Sequence, residues 1–193
     1  MRIEVIVFDF DKTLTVKDTI FGFYRSVSGK KSTFFLKRIF FLAAAVLSKA
    51  KLISNDSLKQ CGVALFLHGY TENELKAKGI EYAFGIEMNG VFEGQCRRYQ
   101  GNRIIILSAS FEEYLKPLFP EYWVAGTQIR YDENGVACGI RRNLFGVEKR
   151  NWLAEQGIEE ISVLYTDSFS DKPLMDIARR VYIVEGSCVK QVR

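Results

Sequence analysis

Apolar residues follow two rhythms along this chain. Runs rich in β-branched, aliphatic and aromatic residues occupy residues 2–8, 103–107 and 161–165. Such runs suit strands buried on both faces, as at the centre of a parallel sheet. Elsewhere apolar positions recur every three or four residues, the period of a helix. Asp18 caps a predicted helix through Phe21, Phe23, Tyr24 and Val27, ending at Gly29. A second helix is expected from about Ser32 to Ala50, and a third from Ser54 or Asn55 through Leu58, Val63 and Leu67. Thr71 and Glu74 form a capping box for a fourth, through Leu75, Ile80 and Phe84. Further helices are expected over 91–99, 111–118 and 146–156 and after Pro173, and further strands over 122–125 and 181–184. Asn134-Gly135 between alternating runs at 127–131 and 136–140 predicts a hairpin.

Strands that alternate with helices imply right-handed crossovers. The expected fold class is α/β: a Rossmann-like three-layer sandwich with a central parallel sheet and an inserted helical-bundle cap. Residues 1–15 and 89–193 would form the core domain and 16–88 the cap. At 193 residues the chain has room for one domain and such an insertion.

Charge sharpens this picture. The net charge is +4, yet nine Lys or Arg face two Asp between Lys17 and Gln60, leaving the rest of the chain acidic. A basic segment on an acidic body suits an anionic substrate or surface, and equally a solvated helical face. Residues 39–47 are uncharged but too few to span a bilayer. One histidine, His68, disfavours histidine metal sites and a Ser-His-Asp triad; it is read as a local structural residue. The four cysteines form no Cys-x-x-Cys pair and the N-terminus enters a strand directly, so a reducing, cytoplasmic setting is expected.

Three predicted strands end in chemically loaded loops. Asp9-Phe10-Asp11-Lys12-Thr13-Leu14-Thr15 follows the first, Ser108-Ala109-Ser110 the second, and Thr166-Asp167-Ser168-Phe169-Ser170-Asp171 the fourth. Ligands of open α/β sheets bind at the carboxyl edge of the strands, where these loops converge. Asp9 and Asp11 lie two residues apart and can face one pocket. Their repulsion calls for a cation or a shared proton, and Mg²⁺ takes such hard oxygen ligands. Taken singly, Ser108 and Ser110 could cap a helix, Lys149 could lie on a surface and Asp171 could complement a helix N-terminus.

Together and in order, these residues resemble the four motifs of the haloacid dehalogenase-like (HAD) hydrolases. The resemblance covers nearly the whole chain and is closest to the phosphoserine-phosphatase-like branch, with its helical cap after the first motif. It implies an Mg²⁺-dependent phosphomonoester hydrolase working through an aspartyl phosphate. Asp9 would be the nucleophile and Asp11 the general acid and base. Ser108, the Ala109 N–H and Lys149 would bind phosphate. Asp9, the Asp11 backbone carbonyl and Asp167 would hold Mg²⁺. Thr13 and Asp171 would support the site. Lys12 stands where Gly is common in this motif, and Ser168 and Ser170 replace its usual Gly and Asn. Asp18 takes about the place of a substrate-reading Glu and is the substrate-specificity candidate; no cap arginine for a substrate carboxylate is found.

The cap also resembles that of the bacterial phosphatidylglycerophosphatase C branch, through Asp18-Thr19-Ile20-Phe21-Gly22 and a long apolar stretch. Residues 32–51 are therefore expected either to meet a lipid or membrane surface, peripheral to the inner face of the membrane, or to form the cap's centre or a dimer contact. The substrate is then a lipid phosphate such as phosphatidylglycerophosphate, or a small soluble phosphomonoester. A silent phosphate-binding or signalling protein is the alternative of another class, and nucleic acid is not an expected partner.

Overall fold

The computed structural model describes residues 3–28 and 33–193. Arg2, the expected end of the helix at Gly29 and the expected start of the next at Ser32 lie outside the described residues. Seven strands form one sheet: β1 (Val5–Phe8), β2 (Arg103–Phe111), β3 (Trp123–Tyr131), β4 (Ala137–Arg142), β5 (Ile161–Thr166), β6 (Ala178–Glu185) and β7 (Cys188–Gln191). Their order is β4-β3-β2-β1-β5-β6-β7. The five central strands run parallel, and β4 and β7 add an antiparallel strand at either edge. The expected parallel sheet is thus a mixed one with a parallel centre.

Alternation along the inner strands divides the core. Ile6 and Phe8 of β1 pack with Ile104 and Ile106 of β2 on one face. Val7, Ile105 and Leu107 face the other way, against Leu153, Leu164 and Leu174. Burial on both faces explains why these strands read as continuous apolar runs.

The chain leaves the sheet at Thr15 and returns at Met88, and the two residues pair in a short antiparallel bridge. Val16 N–H donates to the Glu87 carbonyl and Asn89 N–H to that of Leu14. Between these points lie α1 (Ile20–Ser28), α2 (Thr33–Lys49), α3 (Asn55–Gly62) and α4 (Glu72–Ala83), with a π-helical turn at Val63–Leu67. The Thr71–Glu74 capping box is present at the start of α4. Phe21, Tyr24, Phe41 and Phe66 stack at the centre of this helical insertion, and Tyr24 reaches Phe111 of β2. Gly79 allows α4 to lie on α6 (Glu112–Leu118), because a Cβ there would stand 2.2 Å from the Glu113 carbonyl oxygen.

Three local expectations change. The strand predicted at 103–107 continues to Phe111, so the next helix starts at Glu112. The runs at 122–125 and 127–131 are one strand, β3, whose first half pairs with β2 and second half with β4. Beyond the expected strand at 181–184, β7 folds back on β6 through Gly186. The remaining helices are α5 (Val91–Arg98), α7 (Val147–Glu155) and α8 (Lys172–Met175). His68 Nδ1 lies 3.2 Å from the Ala137 carbonyl, a structural contact as expected. Among the described residues no helix is long and apolar enough to cross a membrane.

Candidate active site

The carboxyl ends of β1, β2 and β5 open onto a cavity of about 280 Å³. Asp9, Asp11, Asp18, Ser108, Ala109, Lys149, Asp167 and Asp171 all line it. Of the residues expected at the site, only Thr13 lies behind this wall.

Asp9 directly follows β1, its N–H donating to the Tyr165 carbonyl at 2.9 Å. Its carboxylate is buried and receives Lys149 Nζ on Oδ1 at 2.7 Å. The Thr13 hydroxyl donates to Oδ2 at 3.4 Å, so Thr13 touches Asp9 as well as shaping the turn. Lys149 sits in the first turn of α7, directly after Gly146, whose φ of +58° makes a sharp entry that a side chain would strain. The lysine is buried and bridges Asp9 to Asp171, 2.8 Å away. Asp171 also accepts from Thr166 Oγ1 at 3.0 Å. Lys149 thus locks the nucleophile candidate to the loop after β5, which a surface lysine could not do.

Burial pushes the Asp9 carboxyl up to about 7, against the pull of Lys149 and with the help of Asp171. Burial and the Coulomb field of Asp18 raise Asp11, while hydrogen bonds from Ser110 and Thr19 oppose the rise. Asp167, half-buried, is raised mainly by burial. Lys149 is raised because its two carboxylates outweigh its desolvation. Carboxylates therefore crowd this cavity beyond what Lys149 balances.

Asp11 lines the same cavity and is held by hydrogen bonds of its own. Its Oδ1 accepts from the Thr19 amide at 2.8 Å and the Thr19 hydroxyl at 2.7 Å, and its Oδ2 accepts from Ser110 Oγ. Tyr114 backs Thr19 at 3.0 Å. A residue of the helical insertion therefore holds the acid–base candidate. Asp18 is exposed at the mouth and accepts from the Ile20 amide at the start of α1, while the expected N-cap place falls to Thr19, whose carbonyl accepts from the Phe23 N–H.

Ser108 Oγ accepts from the Ser110 amide at 2.9 Å. That amide is thus spent inside the turn, and helix α6 opens only at Glu112, beyond Ala109 and Ser110. Lys12 adopts φ +59°, the left-handed conformation that suits the Gly usual at this place. Ser168 Oγ accepts from the Ser170 amide and shapes the loop that carries Asp167 and Asp171.

No three His, Cys, Asp or Glu side chains among the described residues stand close enough to hold a metal by themselves. Two carboxylates, Asp9 and Asp167, with the Asp11 backbone carbonyl still fit Mg²⁺. That ion keeps several waters and is commonly held by one or two protein carboxylates.

Four contributors carry little sequence signal. Thr19, Ser110 and Asn143 are ordinary polar residues, and Lys59 reads as one more basic residue on a solvated helix. A second groove, of about 510 Å³, runs between α4 and α6. Its lysines are paired, Lys76 with Glu72 and Lys116 with Glu112.

Residues 6–176 match the family model described as haloacid dehalogenase-like hydrolase. The chain belongs to the haloacid dehalogenase-like hydrolases. This HAD chain is 25% identical to Protein CicA of Caulobacter vibrioides over 192 residues, covering 90% of this chain and 82% of that one. In fold it is similar to a Bordetella pertussis protein of unknown function, with a TM-score of 0.75 at 18% identity, covering 94% of this chain and 89% of the other. A phosphoserine phosphohydrolase-like protein from Francisella tularensis matches with a TM-score of 0.66 at 19% identity, over 92% and 85% of the two chains. Asp9, Ser108, Lys149 and Asp167 lie on one cavity of this fold.

Proposed function

We propose that this HAD hydrolase is an Mg²⁺-dependent phosphatase of phosphomonoesters, with residues 16–88 as a cap over a core of 1–15 and 89–193. The observation that carries the reading is the buried Lys149 clamp on Asp9 and Asp171, set beside Ser108 and Asp167. Asp9 Oδ attacks phosphorus, and the bond from phosphorus to the ester oxygen breaks. Asp11 gives its proton to that departing oxygen; burial and Asp18 keep the proton available. Water then attacks the phosphorus of the aspartyl phosphate, Asp11 takes a proton from it, and inorganic phosphate leaves with Asp9 restored. Lys149 and Ser108 stabilise charge on the phosphoryl oxygens. Asp9, the Asp11 carbonyl and Asp167 would hold Mg²⁺, which would supply charge neutralisation as the anionic nucleophile meets the phosphate.

Exposed apolar side chains on α2 favour a lipid phosphate over a small soluble ester. Phe35, Leu36, Phe40 and Val46 are 60–67% exposed, while Phe34 and Phe41 hold the opposite face to the insertion. No acidic residue lies between Asp18 and Asp56, whereas Lys37, Arg38, Lys49 and Lys51 flank the apolar face. An anionic bilayer surface matches both features.

The test is Mg²⁺-dependent phosphate release from lipid phosphates in detergent and from phosphoserine, sugar phosphates and nucleotides, with Asp9→Asn as the blank. Release above the blank supports the phosphatase, and its absence across the panel overturns it. Failure of the protein to sediment with anionic vesicles at low salt removes the lipid reading alone.

A further inference from the structure

Among the described residues, the buried amine of Lys59 is paired with no carboxylate. It projects from α3 of the helical insertion and is 5% exposed at the wall of the cavity. Its Nζ donates to Thr127 Oγ1 at 2.9 Å, to Asn143 Oδ1 and to the backbone carbonyl of Ala109. All three acceptors are neutral and belong to the core. Asn143 answers by donating from Nδ2 to Asn55 and Asp56 in the first turn of α3. The circuit therefore runs from α3 to the Ser108-Ala109-Ser110 turn and back through Asn143.

Buried charges in proteins are normally paired. Here Asp56 lies on the same helix but spends its carboxylate on Asn143. Asp11 and Asp18 act on Lys59 at longer range, and Lys149 repels it. Desolvation, with that repulsion, lowers Lys59 to about 7. A dianion seated on Ser108 and the Ala109 amide would lie in the cavity that Lys59 also lines, on the same residue whose carbonyl Lys59 grips, and would supply the missing counter-charge.

We propose that Lys59 is a positioning residue that couples the seating of the helical insertion to occupancy of the phosphate turn. Through the Ala109 carbonyl it fixes the turn when α3 is docked, and a bound phosphoryl group in turn holds α3 down. Coupling of this kind is reciprocal by thermodynamic necessity. The inference rests on the reading of Ser108 and Ala109 as a phosphate site.

The experiment measures binding of inorganic phosphate, with Mg²⁺ present, to the full chain and to Lys59→Met, together with hydrogen exchange of the α3 amides. In the wild-type chain phosphate slows exchange across α3. In Lys59→Met phosphate binds roughly 10- to 100-fold more weakly, the scale for losing a hydrogen bond to a charged group, and α3 exchange no longer responds to it. A lysine that only stabilised the fold would lower the melting temperature and leave that response intact. Equal phosphate affinity in the two proteins, or an α3 response that survives in Lys59→Met, overturns the proposal. Should Lys59→Met not fold, the wild-type exchange decides by itself: no slowing of α3 on binding refutes the coupling. A wild-type chain that binds no phosphate would instead remove the phosphate site on which both readings stand.

Discussion

Replacing Lys149 by methionine deletes the cation that Asp9 and Asp171 share while keeping most of its volume. Nζ lies 2.7 Å from Asp9 and 2.8 Å from Asp171, and the three side chains are 4%, 9% and 4% exposed. At an effective dielectric constant of about 20, each contact is worth roughly 6 kcal/mol of gross Coulomb attraction. Desolvation of the three groups offsets most of that, and breaking a buried pair by removing one partner typically costs about 3–5 kcal/mol. The loss must depend on pH. Without the lysine, Asp9 and Asp171 repel each other, so the already raised Asp9 rises further above its unfolded value of 3.8. A group raised in the folded state contributes stability below its unfolded value and loses it as pH rises through the folded one. Lys149 itself stays protonated across this range, because its raised folded value lies above the unfolded 10.5. Urea denaturation of metal-free protein, followed by Trp123 and Trp152 fluorescence, should therefore show a deficit of about 3–5 kcal/mol near pH 8 and a smaller one near pH 5. A deficit that is absent near pH 8, or larger near pH 5, would refute the buried clamp.

Three other outcomes follow from particular contacts. In metal-free wild-type protein, Asp9 should make stability fall with rising pH between its unfolded 3.8 and folded value of about 7, by up to about 1.4 kcal/mol per pH unit; Asp9→Asn should flatten that slope, as denaturation across the range will record. Lys12→Gly should stabilise by roughly 1 kcal/mol in thermal melts, because it relieves a left-handed conformation at a residue with a side chain. Gly79→Ala should destabilise by about 1–3 kcal/mol, since its Cβ meets the backbone of α6. Gly94→Ala, on an exposed face of α5 with nothing within 4 Å, should instead stabilise by roughly 0.5–1 kcal/mol; equal effects at the two glycines in the same melts would contradict the packing.

How much the sequence discloses depends on whether a residue's role leaves a local pattern. Asp9 and Asp11 stand out because a buried parallel strand is a continuous apolar run and its end is abrupt. The Thr71–Glu74 cap is equally local, and it is present in the fold. Lys149 is a lone lysine in a polar helix, and only its order among the other motifs marks it. Lys59 has no comparable signal: its partners Ala109, Thr127 and Asn143 are 50, 68 and 84 residues away. The direction of the Asp11 side chain is also a tertiary fact, set by Thr19 and Ser110. The hairpin of β6 and β7 escapes because its turn, around Gly186 and Ser187, is short and β7 carries mixed polar residues. At Ser108 to Phe111 the chain stays extended to meet Thr127 of β3, and this overrides the expectation of an immediate helix.

The central claim is that Asp9 carries the phosphoryl group. The direct measurement is borohydride trapping during turnover with Mg²⁺ and whichever phosphomonoester releases phosphate most readily, followed by peptide mass spectrometry. An acyl phosphate at Asp9 predicts reduction of that side chain to a primary alcohol, only when substrate and Mg²⁺ are both present. Steady phosphate release with residue 9 unmodified, or with the label on another carboxylate, would contradict the account.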